Sequence, residues 1–218
     1  MSLRKVNLVD NEYYHIYNRG NSKQKIFHDN EDYFHFMSLL FACNSINNFR
    51  AGVLPKGESP YDFEREKQIV SIGSFCLMPN HFHILITQAI ENGISKFMQK
   101  LSTAYSMYYN KKYKRTGGLF ESKFKSEHAK DDRYLKYLFS YIHLNPIRLI
   151  KKDWKEIGIK NKKEALEYLQ NYKYSSYVDY WGIERIQNKI LNIESFPKYF
   201  PNKKSFQGEI FEWLSYNN

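Results

Sequence analysis

Residues 78–86 read MPNHFHILI, and the imidazoles of His81 and His83 are the sharpest chemical feature of the chain. On a β-strand alternate side chains share a face, so both histidines project one way and Phe82 the other. Two strand steps set them about 7 Å apart, a span from which both rings can converge on one cation. Phe82, Ile84 and Ile86 would bury the opposite face and hold the pair rigidly. An isolated His-X-His is also a common pattern of two exposed strand histidines, so its meaning depends on what surrounds it.

A second feature is SYIHLNP at residues 140–146. Tyr141 and Asn145 stand four apart, hence on one helical face, while His143 points away from both. A phenol and an amide oxygen on one face supply a nucleophile and a metal ligand together. The same residues also suit plainer duties, Tyr141 as core packing and Asn145 as a helix C-cap before Pro146. Tyr137 and Tyr134 lie one and two turns earlier and compete for the nucleophile role. Tyr141 ranks first because it has an asparagine at the +4 position. His128, at the end of the preceding strand, is either near this site or a surface residue.

These groups need elements to position them. Residues 13–18 read as an aromatic strand closed by Arg19-Gly20. Helical spacing runs from Asn30 to Asn47 (Phe34, Met37, Leu40, Phe41), with Asp29 or Asn30 as N-cap. Residues 48–66 read as a surface loop. Residues 68–77 and 81–87 form two strands joined at Met78-Pro79-Asn80, a hairpin. A long amphipathic helix covers 93–113 and stops before Gly117-Gly118. Residues 119–128 alternate like a strand, and 131–145 form a last helix stopped by Pro146. The predicted class is α+β: a ferredoxin-like βαββαβ antiparallel sheet, an added helix carrying the tyrosine, and a helical or irregular C-terminal extension. Residues 1–150 are expected to form the catalytic domain, and 151–218 a basic, aromatic extension packed on it.

Charge narrows the partner. The chain of 218 residues has a formal net charge of +10. Residues 1–95 hold 9 basic and 10 acidic side chains, residues 96–126 hold 8 and 1, and residues 127–218 hold 16 and 12. The excess is concentrated centrally, as a phosphate-backbone footprint requires, although a solvated basic surface gives the same count. The 19 tyrosines, several beside these basic residues, suit stacking against single-stranded bases. Cys43 and Cys76 match no metal or redox spacing, which points to a reducing cytoplasm. No apolar run approaches the length of a membrane span and no leader is evident, so a soluble protein alongside the nucleoid is expected.

In order and spacing, YHIYNRGNSKQKIF, FCLMPNHFHILI, GGLFESKFKS and SYIHLNPIR together resemble the single-tyrosine HUH transposases of insertion-sequence type. They are most similar to the branch associated with repetitive extragenic palindromes (REP). The resemblance covers residues 13–150 and fades beyond Ile150, although KYSSY at 173–177 fits a C-terminal feature of the family. It implies that Tyr141 attacks a DNA phosphate, giving a 5′-phosphotyrosine and a free 3′-hydroxyl. It implies that His81, His83 and the Asn145 oxygen ligate Mg²⁺ or Mn²⁺, a donor set compatible with those ions. Single-stranded DNA with hairpin elements is the implied partner, held by Arg19, Lys23, Lys111, Lys112, Lys114, Arg115, Lys123, Lys125 and Arg148. Family members work as monomers or homodimers. The rival readings are a palindrome-binding protein that does not transpose, and an unrelated hydrolase using His81 and His83.

Overall fold

Alternation along the strand His81–Gln88 divides the molecule, with Phe82, Ile84 and Ile86 on one side and His81, His83 and Leu85 on the other. The computed structural model describes residues 7–49 and 57–215, so positions 50–56 of the expected loop lie outside the described residues. Four strands, β1 (Tyr13–Arg19), β2 (Val70–Met78), β3 (His81–Gln88) and β4 (Lys125–His128), form one antiparallel sheet in the order β2-β3-β1-β4. Helix α1 (Asn30–Ala42) connects β1 to β2, and α2 (Gly93–Lys112) connects β3 to β4. The fold is α+β, as the residue pattern predicts.

Both connecting helices cover the apolar face. Phe36, Met37 and Leu40 of α1 and Phe97, Leu101 and Tyr105 of α2 are fully buried in one cluster with Ile16, Phe82, Ile84 and Ile86. The Asp29 side chain caps α1 by accepting from the Asp32 N–H. The helix ends at Ala42 rather than Asn47 because Asn44 turns its buried amide to the sheet. That amide accepts from the Ile69 and Val70 N–H groups and donates to the Val70 carbonyl. Gly20 closes β1 where any Cβ would collide with the Gln24 carbonyl oxygen.

The fourth strand is shorter than its alternation suggests. Gly20 bridges Phe120 and Tyr17 pairs with Lys125, so residues 18–19 face residues 121–124 across the ladder. Two residues cannot pair with four, and the longer side bends outward. The Asn18 amide takes up the slack by donating to the Ser122 carbonyl. Lys123 therefore sits in the bent segment and does not share a strand face with Lys125.

Helix α3 (Asp132–Leu144) packs on the other side of the sheet. Leu135, Leu138, Phe139 and Ile142 are buried there against Cys76, Met78 and Leu85, together with Tyr172 and Phe196 from the C-terminal segment. That segment holds two short helices, α4 (Trp154–Ile157) and α6 (Tyr177–Tyr180), and two longer ones, α5 (Lys162–Asn171) and α7 (Lys203–Ser215). Their own core joins Ile147, Trp154, Leu169, Tyr177, Phe206 and Ile210. Residues 174–176 cover the free edge of β2: the Leu77 N–H donates to the Tyr174 carbonyl and the Ser176 N–H to the Phe75 carbonyl. Both cysteines are free and buried. Among the described residues no helix is long and apolar enough to cross a membrane.

Phe82 is fully buried behind the two histidines. Replacing it with alanine should cost about 3–5 kcal/mol, by analogy with other buried aromatic truncations. Equilibrium denaturant unfolding checks this, and a loss below about 1 kcal/mol would contradict the packing role assigned to it.

Candidate active site

Strand pairing assembles a polar row on the face opposite Phe82. Across β1 and β3, Tyr17 lies opposite His83 and Arg19 opposite His81. Across β1 and β4, His15 lies opposite Glu127. Nε2 of His15 is 2.8 Å from Nδ1 of His83, with the two rings stacked at a centroid distance of 5.0 Å. Nδ1 of His81 lies 2.7 Å from the Asn80 side-chain oxygen. The His81 and His83 rings stand almost perpendicular, their centroids 4.9 Å apart. One nitrogen of each imidazole is thus held by a neighbour, as is usual where the other binds a metal.

Helix α3 lays a phenol against this row. The Tyr141 ring meets both His15 and His83 edge-on at 5.7 Å. Helical spacing puts Tyr134 and Tyr137 on the same stripe, and all three tyrosines line a cavity of about 350 Å³ with His15, Tyr17, His83, Glu127 and Leu138. Tyr134 and Tyr137 also make contacts away from the two histidines. The Tyr134 hydroxyl donates to Glu127 at 3.3 Å, and the Tyr137 ring packs on Trp213 at 5.1 Å.

Asn145 is the C-cap of α3, and its side-chain N–H donates to the Tyr141 carbonyl at 2.8 Å. Asn145 thus does the work of a helix cap through its amide nitrogen, and its side-chain oxygen takes no part in that bond. His143 does point away: it is buried, with Nε2 2.7 Å from the Ser176 hydroxyl. His128 stands off this site, against Tyr14 and 2.7 Å from a Glu12 carboxylate oxygen.

Burial, then the charges of Arg148 and Arg19, lowers the His81 pKa to about 4. His83 lies well below its ordinary value, again through burial first and then the neighbouring His15 and His81. Both rings are neutral at pH 7, the form in which imidazole binds a cation. Burial raises the Tyr141 phenol, an effect that the nearby Arg148 opposes. The Lys155 ammonium sits 4.0 Å from the centre of the Tyr141 ring, its own pKa lowered by burial and by Arg148 to about 8. The facing His15, opposed by burial and aided by Tyr17, lowers Glu127 to about 2.

Basic residues separate into two groups. Arg19, Lys23, Lys125 and Arg148 line a second cavity of about 300 Å³ together with Asn80, His81 and Glu121, and Tyr17 is shared with the first cavity. Arg19 is paired there with Glu121. Lys111, Lys112, Lys114 and Arg115 lie instead at the far end of α2 and line neither cavity. Lys112 is committed to Asp29, Glu31 and Asp32 at 2.8–2.9 Å.

His15, Glu127 and Lys155 belong to this site and are not evident from motif spacing. His15 shares the β1 face with Tyr17, but only the pairing of β1 with β3 reveals its contact with His83. Lys155 comes from the C-terminal segment, whose fold no sequence period foretells.

The depressed histidines make stability depend on pH. The unfolded chain, with imidazoles near 6.5, takes up protons before the folded one does. Stability is fully present above that value and is lost as pH falls toward the His81 value of about 4, and then toward that of His143, held near 3 by burial. Denaturation midpoints should fall steadily from pH 7 to 4, with a shallower slope in His143→Gln. A midpoint constant over that range would contradict these neutral buried rings.

Residues 61–145 match the family model described as IS200-like transposase. No curated protein matches the chain. Among solved structures the chain is similar to one described as a REP-associated tyrosine transposase bound to a REP hairpin, with 10% sequence identity and a TM-score of 0.49, over 86% of this chain and 90% of that one. His81, His83, Glu127, Tyr141 and Asn145 all fall within the matched segment.

Proposed function

We propose that the chain is a metal-dependent endonuclease and strand transferase that cuts single-stranded DNA beside hairpins, with Tyr141 as nucleophile. The observation that carries this reading is the meeting of the Tyr141 ring with His83 at 5.7 Å, on the sheet face that also bears His81. The Tyr141 oxygen attacks phosphorus, the phenol gives up its proton, and the 3′-oxygen of the broken ester leaves as a hydroxyl. The product is a 5′-phosphotyrosine, and attack by a 3′-hydroxyl reverses the step without hydrolysis. Arg148 and Lys155 are the cations next to the phenol that would stabilise its developing negative charge.

His81 and His83 fit a divalent cation, being neutral and each secured through one ring nitrogen. Among the described residues no three His, Cys, Asp or Glu side chains converge on a metal position. The Asn145 oxygen is the proposed third protein ligand. Mg²⁺ or Mn²⁺ bound there would polarise the scissile phosphate. Arg19, Lys23, Lys125 and Arg148 would hold the flanking phosphates. Lys111, Lys114, Arg115 and Lys123 stand as outer contacts, while the ion pairs of Lys112 remove it from first rank.

With a labelled hairpin oligonucleotide and Mn²⁺, the protein should form an adduct resistant to denaturant. Tyr141→Phe should abolish the adduct while retaining hairpin binding within about threefold. Binding without an adduct in the unaltered protein would favour a palindrome-binding protein, and cleavage surviving Tyr141→Phe would favour an unrelated hydrolase. Chelation by EDTA should stop adduct formation and added Mn²⁺ restore it, and activity persisting in EDTA would remove the cation from the reaction. Arg148→Ala should weaken binding to all sequences alike and lower the salt slope by about one.

A further inference from the structure

His15 and Glu127 have no part in the cleavage step itself, yet they extend the polar row directly behind His83. Glu127 lies opposite His15 in the β1–β4 register, and its Oε2 is 3.7 Å from Nδ1 of His15. That nitrogen is buried and makes no hydrogen bond. On the other side of the same ring, Nε2 lies 2.8 Å from Nδ1 of His83. Tyr17 and Tyr134 donate to the two Glu127 oxygens, at 3.1 Å and 3.3 Å, and fix the carboxylate in place.

With one proton on each ring, two imidazoles that share one hydrogen bond have two ways to order those protons. In the first, His15 carries its proton on Nδ1, facing Glu127, and its Nε2 accepts from Nδ1–H of His83. In the second, His15 donates from Nε2 and turns a nitrogen lone pair toward the carboxylate. A negative charge attracts the N–H and repels the lone pair, so the first order is favoured. It leaves His83 protonated on Nδ1 and bare on Nε2. We propose that Glu127 and His15 form a relay that sets the tautomer of His83, keeping its Nε2 unprotonated as the donor to a divalent cation. This rests on the proposed cation site at His81 and His83. His15 and Glu127 are thereby positioning residues, acting through His83 without touching the reacting atoms.

Two readouts on the whole chain test the relay. Long-range ¹H–¹⁵N correlation spectra of histidine-labelled, metal-free protein report which ring nitrogen bears each proton. The expected pattern has protons on Nδ1 of both His15 and His83. Glu127→Ala should mix the two orders, and Glu127→Lys, which removes the acceptor and adds a donor, should invert them. Titration with Mn²⁺ alone should show affinity 10–100-fold weaker in His15→Phe, a change that keeps a ring in place. A proton on Nε2 of His83 in the unaltered protein, a pattern indifferent to Glu127, or unchanged Mn²⁺ affinity in a folded His15→Phe variant would overturn the relay. Failure of the unaltered protein to bind Mn²⁺ would instead remove the proposed cation site, and the proton pattern would still decide whether the relay exists.

Discussion

Helix α3 lies across the sheet face that carries the imidazoles, and that contact governs the rest of the structure. Its apolar side, from Leu135 to Ile142, is held by Cys76, Met78 and Leu85. The position of those three residues follows from β2–β3 pairing, in which Cys76 stands opposite His83 and Met78 opposite His81. The hydrophobic burial that docks the helix therefore uses residues interleaved with the polar ones, and fixes where the phenol comes to rest. A one-residue slip of β3 would send His81 and His83 into the core around Phe36 and Phe97 and turn Phe82 out of it, so register and chemistry are one constraint.

The arrangement has a physical cost. Buried imidazoles are stable only when neutral and hydrogen-bonded, and this face satisfies that condition with side chains from adjacent strands and turns: Asn80 for His81 and His15 for His83. Cations stand at the margin, with Arg148 close enough to depress His81 and to oppose the raised phenol of Tyr141. An apolar floor, a neutral donor pair and a basic rim suit a polyanion that approaches from one side.

Much of this was legible in the sequence, for local reasons. Strand alternation places Phe82 against His81 and His83, and helical spacing places Tyr141 and Asn145 together, because both periods are properties of the backbone alone. The hairpin at Met78-Pro79-Asn80 and the cap at Asp29 follow from turn and cap chemistry. What stayed hidden depended on pairing between distant segments. The slack between Gly20 and Tyr17 that shortens β4 appears only when β1 and β4 are aligned, and it separates Lys123 from Lys125. His15 looks like any strand histidine until β3 is laid beside it. Lys112 reads as a free basic residue until α1 brings three carboxylates to it.

The C-terminal segment braces α3 at several points along its length. His143 reaches Ser176, which is bonded to Phe75 of β2; Lys136 pairs with Glu209 at 2.6 Å; Tyr137 rests on Trp213. Strung between the sheet and the tail of the same polypeptide, the helix is held on both of its sides. Ser176, Glu209 and Trp213 line no part of the cavity beside Tyr141, yet a change at any of them would loosen the side of the helix that faces away from the sheet.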